Sequence, residues 1–432
     1  MRITLLALGS RGDVQPCIAL GLGLQAAGHE LCIATHAIFE SLVRSHGLAF
    51  ALVQANPKEI MEGEAGRAVM EGGHNAIRAL LNFAEMVTPV VLQAAADCLA
   101  ACQEADAVLY SPLGFYGAPH IAEKLNLPAI GATLQPYHRT GAYPGYGAPT
   151  PRNLSAPLNR LTYIIDETLF WLPYRSAVNQ FREEYLDLPP VPGRVNYNRY
   201  WQQHLPVVYG FSPIVVPRPA DWADYDHVEI AGYWFLDSPA DWQAPTDLVD
   251  FLAAGPPPIY VGFGSMNTRN PEETTRMVLQ ALAQAGQRGV LVTGWGGLRQ
   301  IDVPDTVFIA NAIPHDWLFP RMAAVVHHGG AGTTAAGLRA GIPSIIVPFF
   351  TDQPFWGQRV ADLGVGPAPI PHKHLAVEGL GTAIQQAVSD KGMQRRAAEI
   401  GEQIRAEDGV GKAVAAVERM LTDHKPWYPV ER

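Results

Sequence analysis

The sequence predicts an α/β protein built from two doubly wound, Rossmann-like parallel-sheet domains facing a cleft. Three observations predict it. Short, almost continuously apolar runs alternate with helical stretches through the first 130 residues. The same rhythm restarts at Pro258, and between the two lies a proline-rich stretch with little periodicity. Apolar strands separated by helices imply a parallel sheet covered on both faces.

In the first unit the apolar runs read as strands over 3–8, 30–35, 50–53, 107–110 and 129–134. Helical periodicity fills 16–27, 39–45, 76–103 and 117–125, and a helix over 158–188 carries an aromatic side. In the second unit strands fall at 258–263, 289–293, 307–309, 323–327 and 344–347, with helices at 271–285, 317–321 and 333–340. Pro213, Pro217, Pro219, Pro239, Pro245 and the Pro256-Pro257-Pro258 run give the intervening stretch linker chemistry. The expected organisation is a first Rossmann-like domain over 1–215, a linker over 216–257 and a second Rossmann-like domain over 258–408. A C-terminal helix and tail over 409–432 would pack back on the first domain.

Composition bounds the function. A chain of 432 residues exceeds one hydrophobic core. With 48% hydrophobic and 17% charged residues, intrinsic disorder is excluded. A net charge of −10 argues against a sequence-independent nucleic-acid binder, which needs a basic face. The opening apolar run is strand-length, shorter than a signal-peptide core, and no apolar run approaches a membrane span. Cys17, Cys32, Cys98 and Cys102 show no CxxC and no zinc spacing, so they read as buried thiols of a reduced, cytoplasmic protein.

The strongest motif is Val325-Val326-His327-His328-Gly329-Gly330-Ala331-Gly332-Thr333-Thr334. A buried strand enters a glycine-rich turn and then a helix starting at Thr333 or Thr334. Glycines admit an anion to the backbone, and first-turn amides with the helix dipole stabilise it. His328, Thr333 and Thr334 add side-chain donors, a set suited to a diphosphate. Asp352-Gln353 follows the next strand, at the same sheet edge, where a carboxylate beside an amide can hold vicinal sugar hydroxyls. Ser265, ending the first strand of the second unit, faces the interdomain crevice; without glycines at 263 and 267 it is no hydrolase nucleophile.

Gly9-Ser10-Arg11-Gly12-Asp13 occupies the matching turn of the first unit. Asp13 is either a helix cap near Pro16 or a general base presented across the cleft. Gly21, Gly23 and Gly28 lack dinucleotide-fingerprint spacing, which disfavours an NAD-dependent oxidoreductase. Asp224-Tyr225-Asp226 falls in the linker and reads as a turn, so no essential metal is expected. Gly411-Lys412 lacks the rest of a Walker A loop.

The chain resembles the two-domain nucleotide-sugar glycosyltransferases of the GT-B architecture, and within them the sterol 3-β-glucosyltransferases of plants and fungi. The likeness covers nearly the whole chain. It runs through Gly12-Asp13-Val14-Gln15-Pro16, Ala34-Thr35-His36-Ala37, Asn159-Arg160-Leu161-Thr162-Tyr163 and Pro258-Ile259-Tyr260-Val261-Gly262-Phe263-Gly264-Ser265. It continues in Gly294-Trp295-Gly296-Gly297-Leu298, Pro314-His315-Asp316-Trp317-Leu318-Phe319-Pro320, the 327–334 turn, the 348–357 segment and Gly364-Val365-Gly366-Pro367-Ala368-Pro369. The resemblance implies that Ser265, His328, Gly330, Ala331, Gly332 and Thr333 surround the diphosphate of UDP-glucose. It implies that Asp352 and Gln353 meet the glucose hydroxyls, that Asp13 stands near the acceptor hydroxyl, and that Trp295, Ile313 and His315 lie near the nucleotide. Plant small-molecule glucosyltransferases carry His at the Asp13 position, whereas the sterol and antibiotic branches carry Asp, as here.

The expected reaction is inverting transfer from UDP-glucose to an apolar alcohol, with Asp13 as base and His36 as reserve candidate. UDP-glucose is substrate, and no cofactor is expected. The acceptor pocket is expected from Tyr137, His138, Tyr143 and Trp171, residues that serve equally well as core or domain packing. Exposed aromatics with Arg139, Arg152, Arg160 and Arg175 suggest peripheral membrane contact. Two further readings stay open: a transferase using another sugar or apolar acceptor, and a silent nucleotide-sugar or lipid-binding protein.

Overall fold

The computed structural model describes residues 1–54, 76–148, 154–191, 205–239, 241–264, 266, 270–294, 298 and 302–423. The first sheet is formed by β1 (Arg2–Leu6), β2 (Glu30–Thr35), β3 (Ala49–Leu52), β4 (Ala107–Tyr110), β5 (Ala129–Thr133), β6 (Val207–Tyr209) and β7 (Val228–Ile230). The second is formed by β8 (Ile259–Gly262), β9 (Gly289–Val292), β10 (Val307–Ala310), β11 (Ala324–His327) and β12 (Ser344–Ile346). The strand orders are 3-2-1-4-5-6-7 and 10-9-8-11-12. Every pairing is parallel.

Both orders reverse direction once, between β1 and β4 and between β8 and β11. At such a switch point the flanking loops leave in opposite directions and open a crevice beyond the carboxyl ends of the strands. The Gly9–Asp13 turn leaves β1, and the 328–330 turn leaves β11. The two glycine-rich motifs therefore occupy the crevice-forming position of their respective sheets.

Three local differences from the sequence expectations have physical causes. The first helix runs Arg11–Ala26, starting well before Pro16, because Asp13 Oδ2 accepts from the Ser10 amide at 2.8 Å and the Ser10 hydroxyl at 2.9 Å. That cap nucleates the helix at Arg11, and Pro16 falls inside it. The helix after β11 runs Ala331–Ala340, because Gly330 takes the extended cap conformation.

The third difference concerns the stretch expected as linker. Within it, β7 joins the first sheet, Trp222 is fully buried, and Thr246–Ala253 is a helix. A three-residue edge strand is too short to show periodicity, and prolines are tolerated at sheet edges.

The last described helix, Gly409–Thr422, packs on the helix Arg11–Ala26 and on β6 and β7. Its Ala413, Ala416 and Val417 share one core cluster with Ile3, Leu5 and Val14. Gly23 permits this approach, since a Cβ there would lie 2.4 Å from Val410 Cγ1.

Candidate active site

A cavity of about 1730 Å³ lies between the carboxyl edges of the two sheets and is lined from both. Its first-domain wall begins at the β1 turn. Gly9 has φ +126°, and a Cβ there would stand 2.5 Å from Asp13 Oδ2, so only glycine lets the turn fold under the carboxylate. Both Ser10 bonds fall on Oδ2 and none on Oδ1, and Asp13 lines the cavity. Burial, opposed by the Ser10 bonds and assisted by the charge of Asp352, lifts the Asp13 carboxyl from its usual 3.8 to about 6. His36 supports the same turn: buried at the end of β2, its Nε2 accepts from the Gly9 amide at 3.2 Å.

The opposite wall is the β11 turn. The first bond of the helix Ala331–Ala340 is Thr334 N–H to the Gly330 carbonyl at 2.9 Å. The amides of Ala331, Gly332 and Thr333 precede that bond and have no partner within the helix, which makes them ready anion donors. Gly330, Ala331, Gly332 and Thr333 line the cavity. Thr334 does not: it is fully buried. Its predicted contribution as a donor is therefore corrected. His328 is clasped between glycines, with would-be Cβ atoms of Gly330 and Gly264 2.5 and 3.0 Å from its ring. Burial pulls its imidazole down to about 4, so it enters the cavity neutral, with Nδ1 free of any partner among the described residues.

Asp352 and Gln353 are aimed by strain and packing. Thr351 sits at φ +55°, a costly conformation for a β-branched residue, and turns the chain after β12 back to the cavity. Gln353 Oε1 accepts from the Phe349 amide at 2.8 Å and the Phe350 amide at 3.3 Å. Its Nε2 lies 3.3 Å from Met266 Sδ. Asp352 Oδ2 accepts from Trp356 Nε1 at 2.9 Å and from Gln135 Nε2 at 3.0 Å. Gln135 belongs to the first domain, so this bond crosses the cleft.

Ile313 and His315 also line the cavity, with His315 stacked on Phe319 at 4.3 Å. Ser265 and Trp295 lie outside the described residues. Of the expected acceptor residues, Tyr137 lines the cavity and meets Tyr146 edge-on at 5.0 Å. The other three are corrected. His138 is buried with Nδ1 2.6 Å from the Tyr209 hydroxyl, Tyr143 packs on Phe355, and Trp171 sits in the core cluster with Leu92 and Cys98. An aromatic-rich segment satisfies both core and cavity, and sequence alone does not say which ring turns which way.

The apolar wall instead joins Tyr174 and Phe181, from the aromatic side of the 158–188 stretch, to residues that the sequence reading passed over. Tyr116 and Tyr174 pack at 4.8 Å, beside Val90, Leu113, Val178 and Phe181. Tyr116 and Leu113 lie in the short turn after β4, the other flank of the switch point, and that position was the available signal. Burial pushes the Tyr116 and Tyr174 hydroxyls up, so both rings stay neutral.

Residues 3–144 match the glycosyltransferase family 28 N-terminal domain, and residues 278–420 match the erythromycin biosynthesis protein CIII-like C-terminal domain. A sterol 3-beta-glucosyltransferase of Arabidopsis thaliana is 37% identical over 99% of this chain and 69% of its own length. One from Aspergillus oryzae is 39% identical over 98% of this chain. The chain spans about 30% of the length of that fungal relative. The glycosyltransferase of kitacinnamycin superposes with a TM-score of 0.69 at 20% identity, covering 97% of this chain and 99% of that one. CalG4, the calicheamicin glycosyltransferase, gives 0.67 at 20% identity over 98% and 99%. At that identity the likeness shows the GT-B fold.

The raised carboxyl of Asp13 has a stability consequence. The folded state binds a proton more tightly than the unfolded state, so stability falls as pH rises from 3.8 to about 6. The ionised group then costs at most about 3 kcal/mol above that window. Asp13→Asn keeps an oxygen for the Ser10 donors. Its denaturation midpoint should exceed the parent's at pH 7.5, with the gap narrowing toward pH 4.5. A gap independent of pH would contradict the buried-carboxylate account.

Proposed function

We propose that this chain, which belongs to the sterol 3-beta-glucosyltransferase family, transfers glucose from UDP-glucose to the hydroxyl of a sterol or similar apolar alcohol with inversion at the anomeric carbon. The observation that carries the reading is the meeting of the two switch points. A Cβ at Gly332 would lie 3.9 Å from the Gly12 carbonyl, which puts the carboxylate turn and the anion-binding turn on facing walls of one cavity.

In this reading the diphosphate lies against the amides of Ala331, Gly332 and Thr333, with His328 as a neutral donor. The glucose hydroxyls meet Asp352 and Gln353. The acceptor lies against Tyr137, Tyr146, Tyr116 and Tyr174, and its hydroxyl points at Asp13. The hydroxyl oxygen attacks C1 while the C1–O bond to UDP breaks with its electron pair. Asp13 takes the hydroxyl proton late, once oxocarbenium character has made it acidic. With its carboxyl near 6, Asp13 is still ionised at neutral pH and is a better base than an ordinary carboxylate. Preorganised amides facing the departing oxygen supply the larger share of the rate enhancement. UDP-glucose is substrate in this scheme, and no resident cofactor or metal has a role.

The test is incubation with UDP-glucose and a sterol panel, reading UDP release and the β-glucoside by mass. Asp13→Asn should lower kcat about 10²–10⁴-fold with the UDP-glucose KM within a few-fold. The parent kcat/KM should fall on the acid side of about pH 6, where Asp13 is protonated. Unchanged turnover in the variant removes Asp13 as base. Product only with another sugar or another alcohol favours a sister transferase, and nucleotide binding without turnover favours a silent binder.

A second feature supports peripheral membrane contact. On the helix Ala156–Glu184 the sides are inverted. Asn159, Thr162, Asp166 and Glu167 are buried, while Leu158, Leu161, Ile164, Ile165 and Leu169 are 39–49% exposed. The same helix carries Tyr174 and Phe181 into the cavity from the side turned away from that aliphatic face. Of the arginines expected to help, Arg139 pairs with Glu167 and Arg160 with Asp221, Arg175 is half-buried, and Arg152 lies outside the described residues. The case therefore rests on the apolar face. No described helix is long and apolar enough to cross a membrane. The double substitution Leu161→Glu, Ile165→Glu should reduce co-flotation with phosphatidylcholine–sterol vesicles several-fold, with activity on a detergent-dispersed alcohol retained. Equal flotation would remove this helix from membrane contact.

A further inference from the structure

We infer that Arg11 is a further substrate-contacting residue, its guanidinium meeting the β-phosphate of the departing nucleoside diphosphate from the first-domain side of the cleft. The inference rests on the donor reading above and deepens it.

A diphosphate entering this cavity meets a wall with a charge problem. Asp13, Asp237, Asp316 and Asp352 all line it. His315 and His328, the lining histidines of the second domain, do not offset them, because each is held down to about 4 and is neutral at physiological pH. The cations along the described wall are Arg11, Arg339 and Arg405. Arg339 is already spent: it grips both Asp237 oxygens and lies over the Phe235 ring at 4.4 Å. Arg405 donates to the Arg339 carbonyl at 2.5 Å and braces it. Arg11 differs from both. Its one described side-chain contact is Nε to the neutral Gln15 Oε1 at 3.1 Å, so its charge has no carboxylate partner there.

Its position is also wrong for a stabilising role. Arg11 is the first residue of the helix Arg11–Ala26, where a cation opposes the macrodipole and acidic residues are preferred. An uncompensated cation at the positive end of a helix destabilises the empty protein and favours an incoming anion. The geometry directs that anion to one place. Arg11 lines the same cavity as Ala331, Gly332 and Thr333, and the carbonyl of its neighbour Gly12 is 3.9 Å from a Cβ placed at Gly332, so the first-domain turn that carries it stands against the β11 turn. Its charge is also felt at His315 on the second domain, after burial the next cause holding that imidazole down.

When the C1–O bond breaks, its electron pair settles on the β-phosphate oxygen. Arg11 transfers no proton and forms no covalent bond; it donates hydrogen bonds to that oxygen as its charge grows, a bidentate geometry for which guanidinium is suited. The contact comes from the domain opposite the amides, so it also draws the two walls together when the nucleotide is present.

The experiment compares UDP with UMP by calorimetry on the full chain, for the parent, Arg11→Lys and Arg11→Met. The UDP-over-UMP affinity ratio isolates the β-phosphate. The inference expects this ratio to fall about tenfold or more in Arg11→Met, with UMP affinity within twofold of the parent. Arg11→Lys should restore part of the ratio, and kcat at saturating UDP-glucose should follow the same order. Loss of UDP and UMP affinity by one common factor would mark a structural defect and overturn the inference, as would an unchanged ratio. A parent chain that binds neither nucleotide defeats the donor reading itself, and that outcome is visible before any variant is made.

Discussion

The structure turns on one constraint: two helix amino-termini, one from each sheet, must face each other across a cavity that also holds a buried carboxylate. Each terminus sits where its sheet reverses strand order, so the placement follows from topology before any side chain is chosen. Everything else adjusts distances. The helix Gly409–Thr422 returns from the second domain to pack on the helix Arg11–Ala26, and its buried Ala413 and Val417 join the two halves through a hydrophobic core. The Gln135–Asp352 bond adds a polar contact between the domains at the carboxylate proposed to meet the sugar.

Stability is given up where the chemistry is proposed. Thr351 holds a left-handed backbone without glycine's freedom, and Asp13 keeps a carboxylate where burial disfavours its charge. Arg11 stands at the wrong end of its helix, and His328 leaves a ring nitrogen without a partner among the described residues. Costs of this kind persist when a surrounding fold over-determines the geometry and a ligand recovers the energy. The walls that carry them are backed by strands whose residues, such as Val108, Leu109, Val325 and Val326, are fully buried.

Much of this was legible in the sequence, for identifiable reasons. The parallel sheets announced themselves because strands buried on both faces are continuously apolar, and the β11 turn because glycine, threonine and histidine converge after such a strand. Gly330, Ala331, Gly332, Thr333, Asp352 and Gln353 could be named from their position after β11 and β12. What failed was orientation. Thr334 and Thr333 are neighbours on one helix, and one faces the cavity while the other is buried, which depends on where the helix starts. His138 and Tyr137 are likewise adjacent and point to opposite sides. The inverted helix Ala156–Glu184 defeated the usual inference that polar residues face water. Gln135 bonds Asp352, a partner far away in sequence, and no local pattern reveals that pairing.

The most direct measurement is a crystal structure of the chain with UDP-glucose bound. The account predicts β-phosphate oxygens at about 2.7–3.1 Å from the amides of Ala331 to Thr333, with the anomeric carbon turned toward the open oxygen of Asp13. A nucleotide seated elsewhere, or a sugar whose reacting face is turned away from the first domain, would contradict it.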